Sequence, residues 1–196
     1  MAIWLVRAGS QGQYEQKFLQ EKKIYLTWDE LNVRLDTLVS REDLIHVLED
    51  KYPDAKYRKQ TNHASQIWPF AHVMEKGDRV ILPSKSQPVI YVGTITSDYK
   101  FDASAENPFY HWRSMDWLAN PVPRTNFSQD LLYSFGAFMT ICRITRNNAE
   151  ERILNMESNG WQPETRQQII RQTTDSADVA DASDQDAETD LEELGH

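Results

Sequence analysis

The residues of this chain best suited to chemistry are aromatic. Trp28 and Tyr99 stand at the ends of runs that read as strands, Trp68 stands within a helical run, and Trp112 lies in an alternating one. Arg7, Lys85 and Arg113 accompany them, and the loop Pro83-Ser-Lys-Ser-Gln-Pro88 adds hydroxyls, Ser84 first among them, beside one ammonium. Aromatic faces stack on bases for about 1–3 kcal/mol per base, while Arg and Lys hold the flanking phosphates. Together the set suits a pocket that takes a base flipped from its stack. Each aromatic alone suits an ordinary core equally well.

No catalytic constellation competes with that reading. Glu49-Asp50-Lys51 has the Glu-x-Lys spacing of a metal-dependent nuclease, but it closes a helix and faces no second carboxylate on a neighbouring strand. His46, His63, His72 and His111 lack metal-ligand spacing with Cys or carboxylate partners. Ser134-Phe-Gly-Ala-Phe is not a nucleophile elbow, and Gly9-Ser-Gln-Gly12 is too short for a phosphate loop. The single cysteine, Cys142, sits in an apolar run and reads as a buried thiol. No catalytic residue, metal or cofactor is expected, and the chain alone is not expected to be an enzyme.

The elements that would position the aromatics follow from periodicity and turn chemistry. Gly77-Asp78 reads as a turn that closes a helix and opens a strand, since glycine accepts the left-handed conformation of a helix end. Arg79–Leu82 and Val89–Thr96 are rich in β-branched residues and read as strands. Further strands are expected over Ile3–Arg7, Ile24–Trp28, Tyr110–Leu118 and Phe138–Thr145, with an extended stretch from Pro121 to Arg124. Helices are expected over Tyr14–Lys22, from Ser40 to Tyr52, from about Asn62 to Met74, after Ser128, and from Asn147 or Asn148 to Met156. Lys56-Tyr-Arg58-Lys59 is a basic cluster ahead of the third of these. The count of about six strands with three or four flanking helices predicts an α+β domain built on a small, strongly bent mixed sheet or barrel.

Charge is unevenly spread. The formal net charge is -9, but residues 171–196 hold six Asp, three Glu and one Arg, leaving 20 basic and 21 acidic groups in residues 1–170. A near-neutral folded part with local basic patches is compatible with a nucleic-acid partner. The expected organisation is a sensing domain over 1–160, an acidic linker over 161–190 and the start of a truncated C-terminal domain over 191–196. No apolar run reaches the roughly 18 residues that suggest a membrane span, and one cysteine without a leader points to the cytoplasm.

The blocks Trp4-Leu-Val-Arg-Ala-Gly, Ile24-Tyr-Leu-Thr-Trp28, Gln66-Ile-Trp-Pro-Phe-Ala-His-Val-Met-Glu-Lys-Gly-Asp78, Leu82-Pro-Ser-Lys85 and Gly93-Thr-Ile-Thr-Ser-Asp-Tyr99 occur in order. They resemble the N-terminal domain of Mrr-type restriction endonucleases, from about residue 3 to Ile153. More remotely the layout is similar to PUA-like barrels, including EVE and YTH domains. The resemblance implies a modification-dependent restriction system whose PD-(D/E)xK nuclease domain is absent here. By position it matches Trp28 to the cage Trp of the EVE and YTH pattern and Ser84 to the polar residue after their second core strand. Trp68, Tyr99 and Trp112 are candidates for the remaining wall. Pro83 stands where EVE domains usually carry Tyr-His.

The expected function is recognition of modified bases in double-stranded DNA, through a pocket of Trp28, Trp68, Tyr99, Trp112 and Ser84. Arg7, Lys85, Arg113, Lys56, Arg58 and Lys59 would hold the backbone. A nucleotide-sensing regulatory module and an assembly domain are the alternatives, and a homodimer is left open.

Overall fold

The computed structural model describes residues 1–165 and 168–170. Its first strand, β1 (Ile3–Val6), is apolar throughout and buried along its whole length, the pattern of a strand covered on both faces. It pairs in parallel with β3 (Arg79–Pro83) and antiparallel with β8 (Ile141–Arg143). β3 turns back into β4 (Val89–Ile95), and β4 pairs with β6 (His111–Trp117) at its far end and with β7 (Val122–Pro123) at its near end. β6 also holds β2 (Lys23–Leu26) and the two-residue β5 (Lys100–Phe101). The order β2-β6-β4-β3-β1-β8 makes one mixed, strongly curled sheet. Gly93 permits the bend. A Cβ there would lie 2.7 Å from the Trp117 ring and 2.9 Å from the Met115 methyl, so only a residue without a side chain lets β6 cross so closely.

Strand alternation divides the core. Trp4, Val6, Val80 and Leu82 face a cluster shared with α1 (Glu15–Glu21), α2 (Arg41–Lys51) and α3 (Tyr57–His72). Ile3, Leu5, Ile81, Ile90 and Val92 face a second cluster against α4 (Gln129–Phe135) and α5 (Ala149–Ser158). The bent mixed sheet and its flanking helices agree with the expected α+β class. Among the described residues no helix is long and apolar enough to cross a membrane.

Several boundaries differ from expectation for physical reasons. α2 has the expected capping box, with the Ser40 hydroxyl accepting from Asp43 N and the Asp43 carboxylate accepting from Ser40 N. α3 starts at Tyr57 rather than near Asn62, because the Gln60 amide donates to the Tyr52 carbonyl at 2.8 Å and fastens the first turn to the end of α2. The basic cluster is therefore helical. β8 is shorter than the expected Phe138–Thr145, since Arg7 takes up carbonyls of the segment that precedes it. Among the described residues, α1 to α5 form at the five places where the sequence pattern predicts helices. The packed domain continues past residue 160. Trp161 tilts against Phe127, and Glu164 joins the fully buried Arg152 and Asp130 in a network linking α5 and α4. The greater part of the expected acidic linker over 161–190, from residue 171 onward, and the expected start of a second domain at 191–196 lie outside the described residues.

The expected Gly77-Asp78 turn forms, with Gly77 at φ 93°, and it places the Asp78 carboxylate under both β1 and the end of α3. That carboxylate accepts from Ala2 N at 3.1 Å, Trp4 Nε1 at 2.9 Å and Glu75 N at 3.0 Å. Hydrogen bonds to a charged acceptor contribute about 1.5–3 kcal/mol, and orphaned buried donors cost about 1–3 kcal/mol each. Asp78→Ala is expected to lower unfolding free energy by about 3–5 kcal/mol, read as a drop in urea midpoint. A loss under 1 kcal/mol would show that the contacts carry little.

Candidate nucleic-acid interface

Trp28, Trp68, Tyr99 and Trp112 do not line one cage. Just beyond β2, Trp28 is half-buried; its indole Nε1 donates to His63 Nδ1 at 3.1 Å, and the two rings meet edge to face at 5.4 Å. Trp68 stacks on His72, one turn along α3, at 3.7 Å. Trp112 packs by Tyr25 on the face of β6 opposite Tyr99's partner, with the Lys23 ammonium 4.8 Å from its ring. Ser84 is buried at the start of the β3–β4 loop, where its Oγ accepts from Ser86 N and Gln87 N, both at 3.2 Å. It shapes that loop rather than standing in a pocket with the four aromatics.

Tyr99 is the most deeply placed. Its hydroxyl accepts from Leu35 N at 3.2 Å and lies 2.5 Å from His111 Nδ1, while His111 Nε2 lies 2.6 Å from the Leu31 carbonyl. The carbonyl can only accept, so Nε2 carries a proton. Burial pushes the His111 pKa down to about 4, and in the neutral ring Nδ1 is bare and the Tyr99 hydroxyl donates to it. The same burial raises the Tyr99 hydroxyl above its ordinary value. His72 Nε2 adds a bond to the Leu35 carbonyl at 3.0 Å. Tyr99, His111 and His72 thus pin the long segment between β2 and α2 that begins with Trp28.

The cations divide into two groups. Arg7 is committed to the chain itself, donating to the carbonyls of Phe135 at 3.1 Å, Ala137 at 2.8 Å and Met139 at 3.3 Å. Arg113, only 4% exposed, donates to the Phe70 carbonyl in the last turn of α3 at 2.8 Å and to the Ser97 carbonyl at 3.3 Å. Burial lowers the pKa of both guanidiniums. Arg7 and Arg113, expected to meet a DNA backbone, are therefore placed as internal clamps. Lys56, Arg58, Lys59 and Lys85 are exposed. Lys56 is the N-cap of α3, and Arg58 and Lys59 lie in its first turn. His63 titrates lower than usual through burial and the nearby Lys59 charge.

A cleft of about 490 Å³ lies between the end of α3 and the turn before Tyr99, lined by Asp36, Met74, Lys76, Asp98, Tyr99 and Arg113. Its size falls in the usual range for ligand sites, about 300–1,000 Å³. Among the described residues no group of His, Cys, Asp and Glu is arranged to hold a metal. Sequence reasoning missed the three histidines that partner the aromatics, because His63, His72 and His111 meet Trp28, Trp68 and Tyr99 only through tertiary contacts or helix phase. The helical spacing of Trp68 and His72 was the one available signal.

A family model described as Domain of unknown function (DUF8426) matches residues 4–144. No curated protein and no solved structure matches the chain.

The His111 relay generates a pH dependence of stability. The folded pKa is depressed to about 4 against an ordinary value of about 6.5, so the unfolded chain binds the extra proton first as pH falls. The contribution is complete above about pH 6.5 and is lost on going down to pH 4, amounting to about 3 kcal/mol. The wild-type stability curve should fall more steeply over that window than the curve of a folded His111→Gln variant. Parallel curves in urea titrations would contradict the relay.

Proposed function

The chain belongs to the family whose model it matches, and we propose that it is a DNA-binding module that senses modified bases. A base flipped from the duplex stacks on Trp28 while exposed cations hold the backbone. One observation carries the reading. Lys56, Arg58 and Lys59 crowd the start of α3, where no acidic residue stands in the first turn. Cations there oppose the helix dipole and cost the helix about 0.3–1 kcal/mol each. The same arrangement sets these cations one turn before His63, on which Trp28 leans. Phosphate is the group that such a helix end attracts.

The setting that goes with this reading is a modification-dependent restriction system in the cytoplasm, with an endonuclease as the parent activity; the resemblance of the sequence blocks to those of Mrr-type N-terminal domains supports it. Trp28 is only half-buried, and the segment from Leu31 to Leu35 that follows it is pinned by His111, Tyr99 and His72. The cleft beside Tyr99 and Arg113 favours one second reading, a sensor of a free nucleotide. Such a ligand makes few backbone contacts, and its binding depends only weakly on salt.

Fluorescence anisotropy on duplexes that differ only in cytosine or adenine modification separates the two. Affinity for the preferred duplex should fall steeply with salt, and Lys56→Ala with Lys59→Ala should reduce the log–log slope by about 2. Trp28→Ala should weaken modified-duplex binding about 5-fold or more, corresponding to at least about 1 kcal/mol of stacking. Unchanged affinity in a folded Trp28→Ala variant would remove Trp28 from the site. A flat salt dependence would favour the free-nucleotide reading.

A further inference from the structure

Strand direction gathers three loops at one end of the sheet. β1 and β3 are parallel, so the turn after Arg7 and the loop from Ser84 to Pro88 leave the sheet on the same side. β8 runs against β1, so the segment from Gly136 to Thr140 enters there too, and Arg7 N donates to the Thr140 carbonyl at 2.9 Å. Two of these loops are fastened from beneath by buried or half-buried polar side chains. Glu15, 6% exposed, accepts from Lys85 N at 3.1 Å. Ser84 accepts from the next two loop amides. Arg7 clamps the carbonyls of the alternate residues Phe135, Ala137 and Met139.

That clamp leaves Phe138 101% exposed on a held backbone. An aromatic side chain this exposed loses hydration free energy for nothing in the free chain, and its immobilised backbone lowers the entropy cost of inserting it elsewhere. Its surroundings show into what. The turn 8–13, the loop 84–88 and the segment 136–140 contain no Asp or Glu, in a chain with 30 acidic residues. They expose instead the amides of Gln11, Gln13 and Gln87 and the ammonium of Lys85. Ala137 and Met139, beside Phe138, are half-buried, so it projects alone rather than from an apolar field. A lone apolar wedge on a carboxylate-free surface suits a polyanion with a stacked interior. Gln66 Oε1 accepts from Thr140 N at 2.8 Å and ties this end to α3, about two turns from Lys59.

We propose that this end of the sheet docks onto duplex DNA and that Phe138 is a wedge inserted between base steps. The inference rests on the DNA-binding reading and adds to it the element that unstacks the duplex. Phe138 touches nothing the fold needs, so Phe138→Ala should melt at the wild-type temperature. On a modified duplex carrying 2-aminopurine next to the modified base, the wild-type chain should raise the fluorescence as the step opens. Phe138→Ala should abolish that rise and weaken binding about 5-fold or more, Phe138→Leu should retain much of both, and Lys85→Ala should reduce the salt slope by about 1. If Phe138→Ala binds as tightly with the same fluorescence rise, the wedge is overturned while the base-sensing reading stands. If Phe138→Ala instead abolishes self-association in sedimentation and leaves DNA binding intact, the face joins two copies and the wedge is likewise overturned. If the wild-type chain binds no duplex DNA, both readings fall.

Discussion

One carboxylate holds the architecture together. Asp78 sits where α3 ends, β3 begins and β1 passes alongside, and it gathers an N–H from each of Ala2, Trp4 and Glu75. Parallel strands cannot be joined by a tight turn, so the pairing of β1 with β3 closes a connection that includes α1, β2, α2 and α3. The bidentate use of Asp78, with Oδ1 on Ala2 and Oδ2 on Trp4 and Glu75, helps set that register and the exit angle of α3 together. The candidate site residues are placed by those two quantities. The β1–β3 register brings the three loops to one end, and the α3 direction sets where its cationic start and its cleft-lining end lie.

The rest of the buried polar inventory serves the same purpose. Arg7, Arg113 and Arg152 are the arginines most committed to the interior, and each holds a chain segment that lacks regular pairing. Arg113 takes a carbonyl at the end of α3, where a cation is favoured by the helix dipole. Arg152 is fully buried and draws Ser128, Asp130 and Glu164 onto α5, fixing the stretch after Trp161. Arg7 fixes the stretch before β8. A planar guanidinium with five donors can serve several carbonyls or carboxylates at once, which a lysine cannot. The exposed cations of the candidate surface are accordingly mostly lysines, Lys56, Lys59 and Lys85.

The aromatics follow a comparable division. Tyr99 is drawn inward by His111, and their relay makes the segment from Leu31 to Leu35 part of the core. Trp112 is spent on Tyr25 and Lys23. Trp28 stays half-buried, its indole N–H donating to His63. Phe138 keeps both of its faces because the backbone on either side of it is satisfied by Arg7.

By itself the sequence determined most of the elements. The apolar run Ile3–Val6, the β-branched Val89–Ile95, the Ser40-to-Asp43 cap and the Gly77-Asp78 turn are local signals, written in residues close in the chain, and they produced the bent α+β sheet they suggest. It also marked which residue types could meet a nucleic acid. It did not determine which of them would be free to do so. Arg7 and Lys85 look alike in a chain of letters, but one is consumed by three carbonyls contributed more than a hundred residues away and the other stands exposed. Trp28, Trp68, Tyr99 and Trp112 could share a pocket by type, and the curl of the sheet at Gly93, the phase of α3 and the buried histidines send them to separate partners. Phe138 read as one more strand residue until the clamp beneath it kept it out of the sheet. Tertiary structure alone decides such cases, because whether a side chain is available depends on which distant groups have already claimed its hydrogen bonds and its faces.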